Sequence, residues 1–210
     1  MSGMTMREAD CGDSVPEGEK IQGLRRELED RVRNNLSVML ALVKLQAANP
    51  PVSAAMALAR VAGQIVTLAA IYDESIETQK DGLVELRGWC KRIIDAVARG
   101  LAKSGTIVLT GENREINVPL DRAQTIGLTL GELLADASER ARKTGHETRI
   151  EVELCQTGPS RLALRIRDEA PSEALPPVAI MLAREFGGRL ANLGSDGHSE
   201  REFLFDAAIS

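Results

Sequence analysis

Ile21, Leu24, Leu28, Val32, Leu36, Met39 and Val43 recur at intervals of three or four residues. That spacing follows the turn of an α-helix and gathers the apolar side chains into one stripe. The stripe stops at "AANPP", where Pro50 and Pro51 oppose continued helix. A second helical pattern follows from Val52 to about Tyr72, through Ala55, Met56, Ala59, Ala62, Ile65, Val66 and Ala69. Two helices joined by so short a break predict an antiparallel hairpin over residues 21–76. Two helices alone cannot surround a core, so pairing of two copies into a four-helix bundle is the expected completion.

After the charged connection "DESIETQKDG" the pattern changes, and a second domain is expected over residues 82–210. Leu83, Leu86, Ile93, Ile94 and Val97, with Trp89 and Cys90 among them, predict a helix. "TIVLTGENREINV" reads as a hairpin turning at Gly-Glu-Asn. Asp121 to Lys143 is a further amphipathic helix with Asp121 as its N-cap. "TRIEVELCQTGPSRLALRIRD" alternates as two strands around Gly158-Pro159. Val178 to Phe186 reads as a helix stopped by Gly187-Gly188, and "RLANLG" and "REFLFDAAI" as closing strands. The fold class is α+β, with helices on one face of a mixed sheet. Residues 1–20 are polar and aperiodic and read as a flexible leader.

Composition narrows the function. Hydrophobic residues make up 43% of the chain but aromatics only 2%, which disfavours base-stacking modes of nucleic-acid binding. A formal net charge of -5 argues against nucleic-acid and anionic-membrane partners, although Arg25, Arg26, Arg31 and Arg33 cluster locally. Cys11, Cys90 and Cys155 are widely spaced, which suggests neither a disulfide framework nor a zinc site. With no long apolar run and no secretory leader pattern, a cytoplasmic location is expected.

The segment "DRVRNNL", together with "VPLDRAQTIGLTLGELLADASERA" and "LAREFGGRL", carries a family resemblance. In order and spacing the chain resembles the HisKA_2 and HWE class of bacterial sensor histidine kinases over roughly residues 21–208. It also resembles the dimeric histidine phosphotransferases that keep a degenerate ATPase-like domain. The resemblance implies a dimeric helical hairpin followed by a GHKL-type α/β sandwich. It places Asp30 where the family has its phosphoacceptor histidine. The chain's histidines are His146 and His198, neither on the bundle. On a helical wheel Asp30 lies opposite the apolar stripe, beside Arg33, Ser37 and Lys44.

Within the same resemblance, Glu132 is kept in the helix of the nucleotide-binding asparagine box, Asp136 stands at the metal-binding asparagine, and Glu139 replaces a basic residue. The three acids fall on one helical face, which is either solvated or able to bind a cation. Asp168 matches the adenine-recognising aspartate, but the glycines after it are replaced in "DEAPSEA", where Pro171 stiffens the backbone. Loss of ATP and magnesium binding is therefore expected, with no cofactor and no metal.

These substitutions favour a non-catalytic histidine-kinase-like signalling protein that binds a response-regulator receiver domain or a kinase. The expected docking residues are Asp30, Arg31, Arg33, Asn34, Ser37, Val38, Leu40 and Ala41, with Leu45 nearby. An active histidine phosphotransferase in a phosphorelay is one alternative. A residual nucleotide- or metal-binding regulator built on Glu132, Asp136 and Asp168 is the other.

Overall fold

The computed structural model describes residues 17–48, 61, 64–65, 67–69, 83–100, 105–112, 114–144, 148–170, 174–194 and 198–207. The chain divides into two compact units, Met1–Leu40 and Ala41–Ser210. The described part of the first unit belongs to helix α1, Glu17–Ala48. This helix starts four residues before Ile21, and the preceding leader lies outside the described residues. Its C-terminal end falls just before Pro50, as the sequence dictates. No described helix is long and apolar enough to cross a membrane.

Among the described side chains of α1, the large apolar ones are not enclosed. Val32 is 37% exposed, Leu36 58%, Leu40 55% and Val43 40%. Exposure in the single chain therefore does not by itself separate the stripe residues Val32 and Leu36 from Leu40, one of the expected docking residues.

In the second unit, the described residues of the stretch after Pro51 are Val61, Gln64, Ile65, Thr67, Leu68 and Ala69, and all are helical. Their inward side differs from the apolar pattern. Gln64, Thr67 and Leu68 are buried, whereas Ile65 is 47% exposed and Ala69 is exposed. Gln64 donates a hydrogen bond to Glu132 of another helix, and Thr67 lies beside Gly131 of that helix.

Strand β1 (Leu83–Glu85) leads directly into helix α2 (Leu86–Gly100). Strand β2 (Gly105–Gly111), strand β3 (Asn117–Pro119) and helix α3 (Leu120–Thr144) follow. A hairpin of β4 (Thr148–Gln156) and β5 (Arg161–Asp168) precedes helix α4 (Pro177–Glu185), strand β6 (Arg189–Asn192) and strand β7 (Ser199–Asp206). The five-stranded sheet has the order β2-β4-β5-β7-β6, and β1 and β3 form a separate antiparallel pair.

"TIVLTGENREINV" is consequently not a hairpin. Its first strand runs parallel to β4, while β3 turns away to pair Val118 with Val84. Gly111, at φ +90°, ends β2, and the Glu112 amide then bonds the Leu154 carbonyl at 2.7 Å. That left-handed backbone suits glycine and redirects the chain instead of reversing it.

Alternation in β4, β5 and β7 buries Ile150, Val152, Leu154, Leu162, Leu164, Ile166, Phe203 and Phe205. Helix α3 packs against β4 and β5, and α2 packs against α3 and β2; Trp89 and Ile93 of α2 and Ile126, Leu130, Leu133 and Leu134 of α3 are all buried. The Trp89 indole donates to the Ala123 carbonyl at 2.7 Å, so the ring is buried with its polar atom satisfied. The opposite sheet face carries a charge ladder, with Arg165 and Arg167 between Glu153, Glu200 and Glu202. The two faces make the α+β class plain: helices lie on one side of a mixed sheet.

Helix α4 begins with Pro177 at its first position and ends at Gly187, φ +67°, with the Gly188 amide bonding the Ala183 carbonyl at 2.9 Å. The Gly-Gly pair is thus the helix stop that the sequence predicts.

Candidate functional site

Two groups of residues hold the positions singled out in the sequence, one on α1 and one between α3, β5 and β7. On α1, Asp30 is exposed and its carboxylate lies 3.7 Å from the Arg33 guanidinium, both side chains more than three-quarters exposed. Solvent screening leaves such a pair worth roughly 0–1 kcal/mol. Ser37 donates to the Arg33 carbonyl at 2.9 Å, one turn back. Glu29 pairs with Arg25 at 3.3 Å.

Arg33, Ser37 and Leu40 line an open groove together with Glu29, Val32 and Leu36. The predicted docking residues Arg33, Ser37 and Leu40 therefore share one surface with part of the apolar stripe. The side chains of Arg31, Asn34, Val38, Ala41 and Leu45 lie outside those described.

The acidic face of α3 is not a solvated face, nor a cluster of spare ligands. Glu132 is buried and accepts a hydrogen bond from the Gln64 amide. Glu139 pairs with Lys143 at 2.9 Å. Asp136 receives Arg140 Nε at 2.9 Å and Arg201 Nη1 at 2.6 Å, both on Oδ2. Burial pushes the Asp136 carboxyl up, but Arg201 and Arg140 outweigh it and hold the carboxyl below its usual value. Among the described residues, no group of three or more His, Cys, Asp or Glu side chains is placed to hold a metal ion.

Asp168 ends β5 on the buried side of the sheet. Arg140 grips it with both terminal nitrogens, Nη1 to Oδ1 at 2.6 Å and Nη2 to Oδ2 at 2.7 Å. Parallel hydrogen bonds of this kind are the strong, geometrically specific form of the ion pair. The Ala170 amide adds a bond to Oδ1 at 3.0 Å, and the Ala170 carbonyl accepts from Arg140 Nη1 at 2.5 Å. Burial lowers the Arg140 pKa, while Asp168 and Asp136 more than reverse it, so the guanidinium is held even more firmly charged.

Arg201 completes the cluster from β7. It lies opposite Ile166 in the sheet and is fully buried, in the inward phase of Ser199, Phe203 and Phe205. Its Nη2 donates to the Ala174 carbonyl at 3.3 Å. Neither Arg140 nor Arg201 was prominent in the sequence. The signals were an arginine four residues after Asp136 and an arginine in phase with the buried phenylalanines of "SEREFLFD". Pro171 and Ser172 lie outside the described residues, as does His146, and His198 is exposed.

Residues 27–100 match the HisKA_2 family, a histidine kinase family. No curated protein matches the chain. Among solved structures, it is similar to the histidine kinase domain from the Erythrobacter litoralis EL346 blue-light activated histidine kinase. Identity is 15%, coverage is 90% of this chain and 94% of that one, and the TM-score is 0.61. It is also similar to the longer EL346 chain, with 14% identity, coverage of 95% and 65% respectively, and a TM-score of 0.59. The chain thus carries a HisKA_2-type segment on a histidine-kinase-like core, with a GHKL-type fold in its second unit.

Proposed function

We propose that the chain is a non-catalytic, histidine-kinase-like signalling protein of a bacterial two-component pathway, a cytoplasmic homodimer that docks a response-regulator receiver domain. One observation carries this reading. Helix α1 has no histidine, yet it exposes the apolar line Val32, Leu36, Leu40 and Val43 beside Asp30, Arg33 and Ser37. A long apolar strip rimmed by polar groups is the form of an interaction surface. Val32, Leu36 and Val43 serve the second copy of the chain, and the adjoining Arg33, Ser37 and Leu40 serve the receiver.

Asp30 supports a docking role over phosphotransfer. Its carboxylate lacks the neutral nucleophilic nitrogen of imidazole, and transfer from a receiver aspartate would press two anions together. The test is to titrate the protein with receiver domains from the same organism and to follow labelled phosphate from a phosphorylated one. The expected result is binding to a receiver, weakened roughly tenfold or more by Leu40→Glu or Arg33→Glu, with no label on this chain. Acid-labile label on this chain would replace the proposal with active phosphotransfer, and the absence of any receiver binding would end it.

A further inference from the structure

A nucleotide base needs a carboxylate with acceptor capacity to spare, and a triphosphate needs cationic charge that is not already neutralised. Asp168 has a fully buried side chain, and each of its oxygens is held by Arg140, within 2.7 Å. Asp136 joins Arg140 to Arg201. Two carboxylates against two guanidiniums leave these four groups with no net charge to offer. The residues present do not fit a nucleotide.

We infer that Arg140 is a tethered occupant of this site, its guanidinium taking the hydrogen-bond positions on Asp168 that a bound base would use, so that the domain is completed by its own side chain. Arg201 and Asp136 brace that guanidinium from the sheet side. Buried ion pairs of this type are costly to assemble but much costlier to break, because removing one partner strands the other charge away from water. The cluster therefore ties α3 to β5 and β7 without an added ligand.

The inference deepens the reading that the protein works without catalysis. It is tested on the full chain by thermal unfolding with and without Mg-ATP and Mg-ADP at millimolar concentration, for the wild type, Arg140→Met, and Arg140→Met combined with Asp168→Asn. The wild-type Tm should not move with either nucleotide. Arg140→Met should lower it by on the order of 10 °C, and adding Asp168→Asn should recover a large part of the loss by removing the stranded charge. A nucleotide-dependent rise in the wild-type Tm would overturn the inference. So would an Arg140→Met protein that melts like the wild type, or a double variant no more stable than the single one. If Arg140→Met does not fold, the wild-type titration and the double variant still decide. Nucleotide stabilisation of the wild type would sink this inference and leave receiver docking to its own titration, whereas absent receiver binding with a nucleotide-silent protein would sink only the docking proposal.

Discussion

The side-chain amide of Gln64 donates a hydrogen bond to the buried carboxylate of Glu132, fastening a helical stretch of the chain to the inner side of α3. Thr67 packs one turn further on, where a Cβ added to Gly131 would lie 3.0 Å from its hydroxyl oxygen. Loss of a donor to a buried carboxylate costs more than loss of a neutral hydrogen bond, about 2 kcal/mol. Gln64→Ala should therefore lower the urea midpoint, and Glu132→Gln in the same chain should return part of that loss by neutralising the acceptor. An unchanged midpoint in Gln64→Ala would show that the contact contributes nothing to stability.

How far the sequence disclosed the fold depended on whether each pattern was local. Alternation in "RIEVELC" and "RLALRIR" was readable because each strand buries one face and a tight turn joins the pair. "TIVLTGENREINV" misled because two strand-like runs around a glycine turn look the same whether they pair together or with distant partners. The inward side of the Gln64 helix was hidden for a related reason: a buried glutamine follows from Glu132 being opposite, not from its own neighbours. Asp136 and Asp168 were found through the resemblance, but their partners were not. Arg140 and Arg201 become site residues only when the sheet brings β5 and β7 against α3.

Acid should loosen this cluster in a defined direction. Burial raises the Asp136 carboxyl, yet Arg201 and Arg140 carry it below the usual value, so the folded state binds fewer protons there than the unfolded chain. The associated stability is present above the unfolded value, about 3.9, and is lost as pH falls through the lower folded value. Asp136→Asn should be less stable than the wild type at neutral pH by about 3 kcal/mol. The gap should narrow as pH drops below about 4. Urea denaturation across that range measures it, and a gap that stays constant would refute the assignment.

Cys90 should be chemically silent in the folded protein. Its side chain is fully buried, and burial, with Glu85 adding to it, pushes the thiol up to about 12 against the opposing effect of Arg87. Thiolate is the reactive form, so alkylation at mildly alkaline pH should reach Cys90 only on unfolding. Mass mapping after iodoacetamide treatment, with and without denaturant, checks this. Rapid native labelling of Cys90 would mean that α2 opens readily.

Dimerisation of α1 makes the most direct demand on the exposed stripe. Val32, Leu36 and Val43 lie on one helical ridge and remain 37%, 58% and 40% exposed in the single chain, while burial of such side chains is worth about 1.5–3 kcal/mol each when complete. Placing a charge at the centre of that ridge removes the apolar contribution and strands an unpaired carboxylate at the proposed contact. Leu36→Glu should therefore raise the dimer dissociation constant by roughly a hundredfold or more, measured by sedimentation over a concentration series. Asp30→Ala, a change at a side chain 76% exposed, should leave the dimer unchanged. Equal weakening by both variants would point to general disruption of α1, and a wild type that sediments as a monomer at every concentration would exclude the dimer.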